Sequence, residues 1–279
     1  MSGLARHLAV ALAALLLTAG GADAETRIPS CYERVALDGV EAPPLTGELY
    51  VLVDQTRPFQ VDFQKHVNAK VQGFLTAGHR VTVISFSARA ADRYSEIRVR
   101  ARMDIPLSEE ARYTIPKQDL RRLDACLERQ SGTARRQTAL ALKRTFDGAS
   151  GDLPKTELLA NLGYLTKRVI PRNRTADRVA VLLVSDMMEN SEAVTFYRGG
   201  TLGAIEPDEA LKQVRDAGLS AQFDGLDVYV VGGLYGMAGD YLPAKRVERL
   251  RRFWRSYVET SGGELVEFGA PYLSGGLTE

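Results

Sequence analysis

The chain has 279 residues, 45% of them hydrophobic and 25% charged, with a formal net charge of +1. These proportions are ordinary for a globular protein, and the length admits one large domain or two small ones. A charge so near zero removes the electrostatic case for nucleic acid or an anionic membrane surface as the partner.

Residues 1–24 read as a secretory signal. Arg6 and His7 form a short polar start, Leu8–Leu17 is a brief apolar run, and Ala22-Asp23-Ala24 offers the small residues that a signal peptidase reads. The run falls well short of a membrane span. Cleavage is expected after Ala24, leaving an exported protein, periplasmic or extracellular, soluble after cleavage and with its net charge unchanged. In an oxidising compartment Cys31 and Cys126 are expected to form a disulfide, the alternative being two separate buried thiols. The mature chain otherwise has only His66 and His79 as soft ligands, which argues against a zinc-type centre.

Residues 25–46 form an irregular N-terminal extension, punctuated by Pro29, Pro43 and Pro44. Leu49–Asp54 is a buried strand that ends on a carboxylate, with the hydroxyl of Thr56 two residues on. Phe59, Phe63, Val67, Val71, Phe74 and Leu75 recur at helical spacing, predicting a helix to Ala77 with Gly78 as a left-handed cap. Arg80–Ser87 is a second buried strand. In Tyr94–Asp104 the period becomes two, with Arg98, Arg100 and Arg102 alternating with apolar residues, as in an antiparallel edge strand guarded by charge.

Helices are expected over Lys117–Arg129 and Ala134–Phe146, divided near Ser131-Gly132. Another is expected over Thr156–Val169, ended by Pro171. Arg178–Ser185 is the strongest buried strand, and it too is followed by an acid, Asp186. A polar loop, Met187–Ile205, leads to a helix at Pro207–Ala217. The strand Leu226–Val231 and the helix Pro243–Thr260 follow, the helix with Arg246, Arg249, Arg252 and Arg255 on a solvated face. Glu264–Phe268 is the last strand, and the tail around Ser274-Gly275-Gly276 is expected to be loose. Alternating strands and helices give an α/β architecture: a mostly parallel central sheet with one antiparallel edge strand and helices on both faces. Residues 47–279 are read as one domain, with an elaborated segment at about 88–152.

Asp54 and Thr56 follow the first buried strand, Thr156 opens a helix, and Asp186 follows the strongest strand. Carboxylates and hydroxyls outside the carboxyl ends of parallel strands are where open α/β sheets bind ligands. Together they are hard oxygen donors suited to Mg²⁺ or Mn²⁺. Their order and placement resemble the von Willebrand factor type A (vWA) domain, a Rossmann-like fold. Its metal-ion-dependent adhesion site uses Asp-x-Ser-x-Ser, then a Thr, then an Asp. Asp54-Gln55-Thr56-Arg57-Pro58 matches the first motif, Thr156 the Thr (with Ser150 as the alternative), and Ser185-Asp186-Met187 the distal Ser-Asp-Gly. The resemblance covers roughly Gly47–Phe268. Pro58 stands where the family has its second metal-binding Ser, and Met187 replaces a Gly.

The resemblance implies a protein-binding module, not an enzyme, that engages an acidic side chain of its partner through a bridging Mg²⁺ or Mn²⁺. The loops Gln55–Gln60 and Met187–Ile205 would gate that contact. An alternative is a structural subunit of an envelope assembly with a vestigial metal site. A second is a phosphatase of the haloacid dehalogenase type, with Asp54 as nucleophile and Ser85 or Ser87 in its second motif. That family places another acid two residues after the nucleophile, where this chain has Thr56. No Gly-x-Gly-x-x-Gly follows a strand to suggest a dinucleotide enzyme.

Overall fold

The computed structural model describes residues 25–37, 39–87, 95–151, 156–198, 201–236 and 243–277. The expected signal at 1–24 lies outside them, as do residues 88–94 and 152 of the elaborated segment. In chain order the elements begin with β1 (Thr26–Arg27), α1 (Cys31–Val35), β2 (Gly47–Asp54), α2 (Val61–Phe74), β3 (His79–Phe86) and β4 (Ser95–Arg102). The helices α3 (Glu109–Arg112), α4 (Lys117–Asp147), α5 (Leu158–Tyr164) and α6 (Ile170–Asn173) come next, the last two joined by a π turn over Leu165–Val169. The chain closes with β5 (Arg178–Val184), an antiparallel pair of β6 (Tyr197–Arg198) and β7 (Thr201–Leu202), then α7 (Pro207–Asp216), β8 (Asp227–Val231), α8 (Ala244–Thr260) and β9 (Glu264–Phe268).

Seven strands form one sheet in the order β1-β4-β3-β2-β5-β8-β9, parallel throughout except for the β3–β4 pair. Every residue of β2 is buried, and all but the first of β5. A strand with two apolar faces must be covered on both sides, and the alternation of side chains sorts the core into two layers. Tyr50, Leu52, Ile84, Phe86, Val181 and Leu183 pack on one face with side chains of α5, α7 and α8. Leu49, Val51, Val53, Val83, Leu182 and Val184 pack on the other with α2 and α4. This is the Rossmann-like arrangement that the vWA resemblance implies. Among the described residues no helix is long and apolar enough to cross a membrane.

Several expectations are corrected. The two helices predicted around Ser131-Gly132 are a single helix, α4. A helical glycine costs about 1 kcal/mol relative to alanine, and contacts on both sides of Gly132 offset that. Before it, Cys126 is bonded to Cys31, with a Cα–Cα distance of 5.7 Å. Gln130 there accepts from the Asp104 N–H and donates to the Asp104 carboxylate, each at 2.9 Å. After it, Ala134, Ala141, Leu142 and Phe146 enter the core. The disulfide closes a loop of 95 residues, and by chain entropy it contributes roughly 4–5 kcal/mol.

Pro171 does not end its helix. It stands near the start of α6, where a missing N–H is tolerated, and the preceding π turn absorbs the irregularity. Gly78 has a positive φ of 86°, yet it is in the turn before β3, because α2 already stops at Phe74. β4 is antiparallel as expected but is not the edge of the sheet, since β1 pairs along its outer side. The basic face of α8 is not simply solvated: Arg246 donates to the Leu202 carbonyl at 2.9 Å and Arg249 to that of Ile205 at 3.2 Å. The tail is tied down. Leu273 and Leu277 are buried, and Glu267 Oε1 accepts from the Ser274 N–H and hydroxyl at 2.7 and 2.8 Å.

Candidate functional site

From β2 the chain proceeds to β3 on one side of the sheet, while β5 flanks β2 on the other. Strand order reverses between β2 and β5, and the crevice beyond their carboxyl ends is the ligand position of an open α/β sheet. Asp54 is the last residue of β2 and only 1% exposed. Its Oδ1 accepts from the Thr56 N–H at 2.9 Å and the Thr56 hydroxyl at 2.6 Å. This local bonding of a carboxylate to the backbone two residues on turns the chain out of the strand. Oδ2 accepts from the Ser185 hydroxyl at 2.8 Å, so the acid ties β2 to the end of β5.

Thr156 is not a helix residue. It precedes α5, held by a bridge to Asn190 whose N–H donates to the Thr156 carbonyl at 2.9 Å. From there its hydroxyl donates to Thr56 Oγ1 at 3.1 Å. Of the two candidates it is Thr156 whose hydroxyl meets Thr56, whereas the Ser150 N–H donates to the Gln55 carbonyl at 2.9 Å. Asp186, 4% exposed, accepts from the Met188 N–H at 2.9 Å through Oδ1. Its Oδ2 pairs with Arg57 Nε at 2.8 Å and accepts from the Tyr197 hydroxyl at 3.4 Å.

Burial pushes the pKa of Asp54 up. Burial together with the neighbouring Asp54 charge pushes Asp186 up to about 7. Burial alone would lower the Arg57 guanidinium, but Asp186 and Tyr197 outweigh it and hold its pKa above the ordinary value. These are the shifts expected where two acids are removed from water around a single cation.

The loop carrying Asp186 is shaped by a residue in an uncommon conformation. Met187 has a φ of +64° and is fully buried. The resemblance puts a Gly here, and Met187 adopts the left-handed geometry a glycine takes readily. Its N–H donates to Ser185 Oγ at 3.0 Å, and its carbonyl accepts from Trp254 Nε1 at 3.0 Å. Trp254 of α8 thereby fixes the loop from below. Glu189 does the same from the side, its Oε2 accepting from the Leu159 N–H at 3.0 Å.

The structure therefore brings Asp54, Thr56 and Thr156 into one hydrogen-bonded chain and sets Asp186 beside it. Sequence reasoning missed the roles of Arg57, Tyr197, Trp254 and Glu189. Arg57 had a legible cue, as a cation between a hydroxyl and a proline in a motif that opens on the acid Asp54. Trp254 had none, because its partner lies 67 residues away in the chain.

The oxygen donors have the hard character that Mg²⁺ or Mn²⁺ requires. As arranged, however, they do not fit a resident divalent ion: Pro58 offers no side-chain oxygen, and the Arg57 guanidinium already stands on Asp186 Oδ2. Among the described residues no three His, Cys, Asp or Glu side chains gather in a metal-binding group.

No protein-family profile matches the chain, and no curated protein matches it. Among solved structures it is similar to the pilus adhesin SpaC from Lactobacillus rhamnosus GG in its open conformation. That overlap has 14% identity and a TM-score of 0.36, over 78% of this chain and 27% of the adhesin. It is also similar to an aerotolerance-related membrane protein from Bacteroides fragilis, with 13% identity and a TM-score of 0.34, over 80% of this chain and 90% of that one.

Proposed function

We propose that the chain is a vWA-like protein-interaction module of an exported protein, and that its partner docks over the carboxyl ends of β2 and β5. The observation that carries this reading is the convergence of Asp54, Thr56, Thr156 and Asp186, from three separate segments, on the switch point of the sheet. The disulfide supports export to an oxidising compartment. A binding role is favoured over a phosphatase because both oxygens of Asp54 accept hydrogen bonds and Thr56 takes the place of a general acid. In the metal-bridged form of the reading, Asp54, Thr56, Thr156 and Asp186 would be the residues that hold Mg²⁺ or Mn²⁺, and the ion would supply a link to a partner's acidic side chain. That form requires Arg57 to leave Asp186.

The Arg57–Asp186 pair favours a second reading, a structural subunit of an envelope assembly whose metal site is vestigial. Affinity capture from an envelope fraction separates the two, using wild type, Thr56→Val, and Arg255→Glu on the far side of α8 as a surface control. A partner retained by wild type and the control but lost by Thr56→Val supports the docking face. A partner retained by all three moves the interface elsewhere. Turnover of a generic phosphate ester that disappears in Asp54→Asn would overturn the binding reading altogether.

A further inference from the structure

We propose that the amino end of the sheet carries a second site, a basic cavity that binds the phosphate group of a small organic monoester. It lies at the opposite end of β2 from Asp54 and is independent of the docking face.

Arginines along an edge strand keep other chains off it, but β1 already pairs along the outer side of β4. Arg100 and Arg102 of β4 instead line a cavity of about 580 Å³, together with Arg27, Arg80 and Arg172. That volume is within the range of small-molecule sites. Register brings like charges together. Arg80 stands opposite Arg102 across the β3–β4 ladder, and Arg27 beside Arg100 across β1–β4. Like charges facing one another across strands work against folding, and an anion in the cavity would relieve them.

Some of these charges are met from within. Arg80 pairs with the buried Glu48 at 2.8 Å, and Arg102 pairs with Asp104. Arg100 pairs through Nε with Glu25 at 2.6 Å and donates to Asn173 Oδ1. Arg80 also donates to the Asn173 carbonyl, so one residue of α6 orients two guanidinium groups. Arg27 and Arg172 are exposed and have no ion-pair partner among the described residues. Arg80 Nε is buried without a hydrogen bond among those residues, a cost that an acceptor in the cavity would offset. Five arginines against the carboxylates of Glu25, Glu33, Glu48 and Asp104 leave the side chains at +1.

Glu25 marks the kind of group the cavity accepts, because its carboxylate already stands on Arg100 from a side chain that is 39% exposed. With Glu25 turned aside the surplus becomes +2, and a phosphate monoester carries close to two negative charges at pH 7. Phosphate suits the cavity better than a carboxylate. A carboxylate is planar, whereas a monoester phosphate offers three acceptor oxygens. The cavity presents guanidinium groups from three elements, β1, β4 and α6. Its volume leaves room for the organic part of the ester.

Titration calorimetry on the whole mature protein tests the site at matched ionic strength. The probes are inorganic phosphate and glycerol 3-phosphate, with citrate as a carboxylate of at least equal charge. The ester is expected to bind more tightly than inorganic phosphate and about tenfold or more above citrate. Arg27→Gln and Arg172→Gln, both exposed, should each weaken the ester about tenfold, the loss of one charged hydrogen bond. Glu25→Gln should tighten it, and Arg255→Gln on α8 should leave it unchanged. The proposal is overturned if wild type binds no ester, or if citrate or inorganic phosphate binds as well as the ester does. Unaltered affinity in Arg27→Gln, Arg172→Gln or Glu25→Gln overturns it too, since the ligand then sits elsewhere. An equal loss in Arg255→Gln does the same, by showing that overall charge and not the cavity attracts the ester. The docking-face reading is tested separately, by the capture experiment with Thr56→Val.

Discussion

Glu48 and Asp54 stand at opposite ends of β2, each 1% exposed, and they solve the problem of a buried acid in different ways. Glu48, at the amino end, has its Oε1 fixed by the Thr175 N–H and hydroxyl, both at 2.7 Å, by the Ala176 N–H at 2.9 Å, and by Arg80 at 2.8 Å. Its Oε2 accepts from the Tyr50 hydroxyl at 3.2 Å. Most of those donors come from one turn before β5, and the cation comes from the adjacent strand. Asp54 is held by hydroxyls and one local amide, and its nearest cation pairs with a different acid. Burial of a carboxylate is thus no mark of a site in itself. The mark is a set of partners that can exchange: rotatable hydroxyls from separate segments and a partly exposed arginine.

The comparison breaks most visibly at the amino end. Glu48→Gln leaves the half-buried Arg80 guanidinium without its carboxylate, and a loss of about 3 kcal/mol is expected in chemical denaturation. A milder outcome, matching Asp54→Asn, would erase the distinction between the two ends.

Next in size is a pH effect in the Asp186 loop. Burial pushes Glu189 up to about 7, so the folded protein holds this proton more tightly than the unfolded chain, whose glutamates titrate near 4.3. Stability from this group is fully present below about pH 4 and is lost as pH rises through about 7, on the order of 3 kcal/mol. Asp186 adds a slope of the same sign. Glu189→Gln should therefore flatten the fall between pH 4 and 7 without abolishing it, as read from denaturation midpoints across that range.

Trp254→Phe keeps an aromatic ring in the core but leaves the Met187 carbonyl without its donor. A cost of about 1–2 kcal/mol is expected, accompanied by chemical-shift changes at Asp186 and Met188. The smallest effect belongs to Asp54→Asn. The Asn oxygen can accept what Oδ1 accepts, and the Ser185 hydroxyl can rotate to accept from the new amide. The stability change is expected within about 1 kcal/mol, measured by the same denaturation.

Much of the sheet was legible because β2, β3, β5 and β8 are apolar runs that only a doubly covered strand explains. The parallel arrangement was legible for the same reason, as were the acid that ends β2 and the acid that follows β5. Helix boundaries were less so. Gly132 reads as a break in any local window, and only the contacts of Cys126, Gln130 and Phe146 show why the helix continues. The tail reads as loose from Ser274-Gly275-Gly276, yet Glu267 captures it from an adjoining strand. At the site, Asp54, Thr56 and Asp186 carried a local pattern. Arg57, Tyr197 and Trp254 act across loops, through distances that periodicity does not encode.

The covalent link between Cys31 and Cys126 has a consequence for how the sheet ends. β1 is only two residues long, too short to hold an edge through two rungs of backbone pairing. It stays because the segment just after it is stapled to α4 and its Cys31 N–H donates to Asp104 at 2.6 Å, which keeps the strand at a high effective concentration beside β4. The staple thus keeps the β4 edge covered. Reduction would release the short strand and bare the β4 edge, a template on which a second chain could add. Self-association under reducing conditions, absent while the bond is intact, is the expected result in sedimentation.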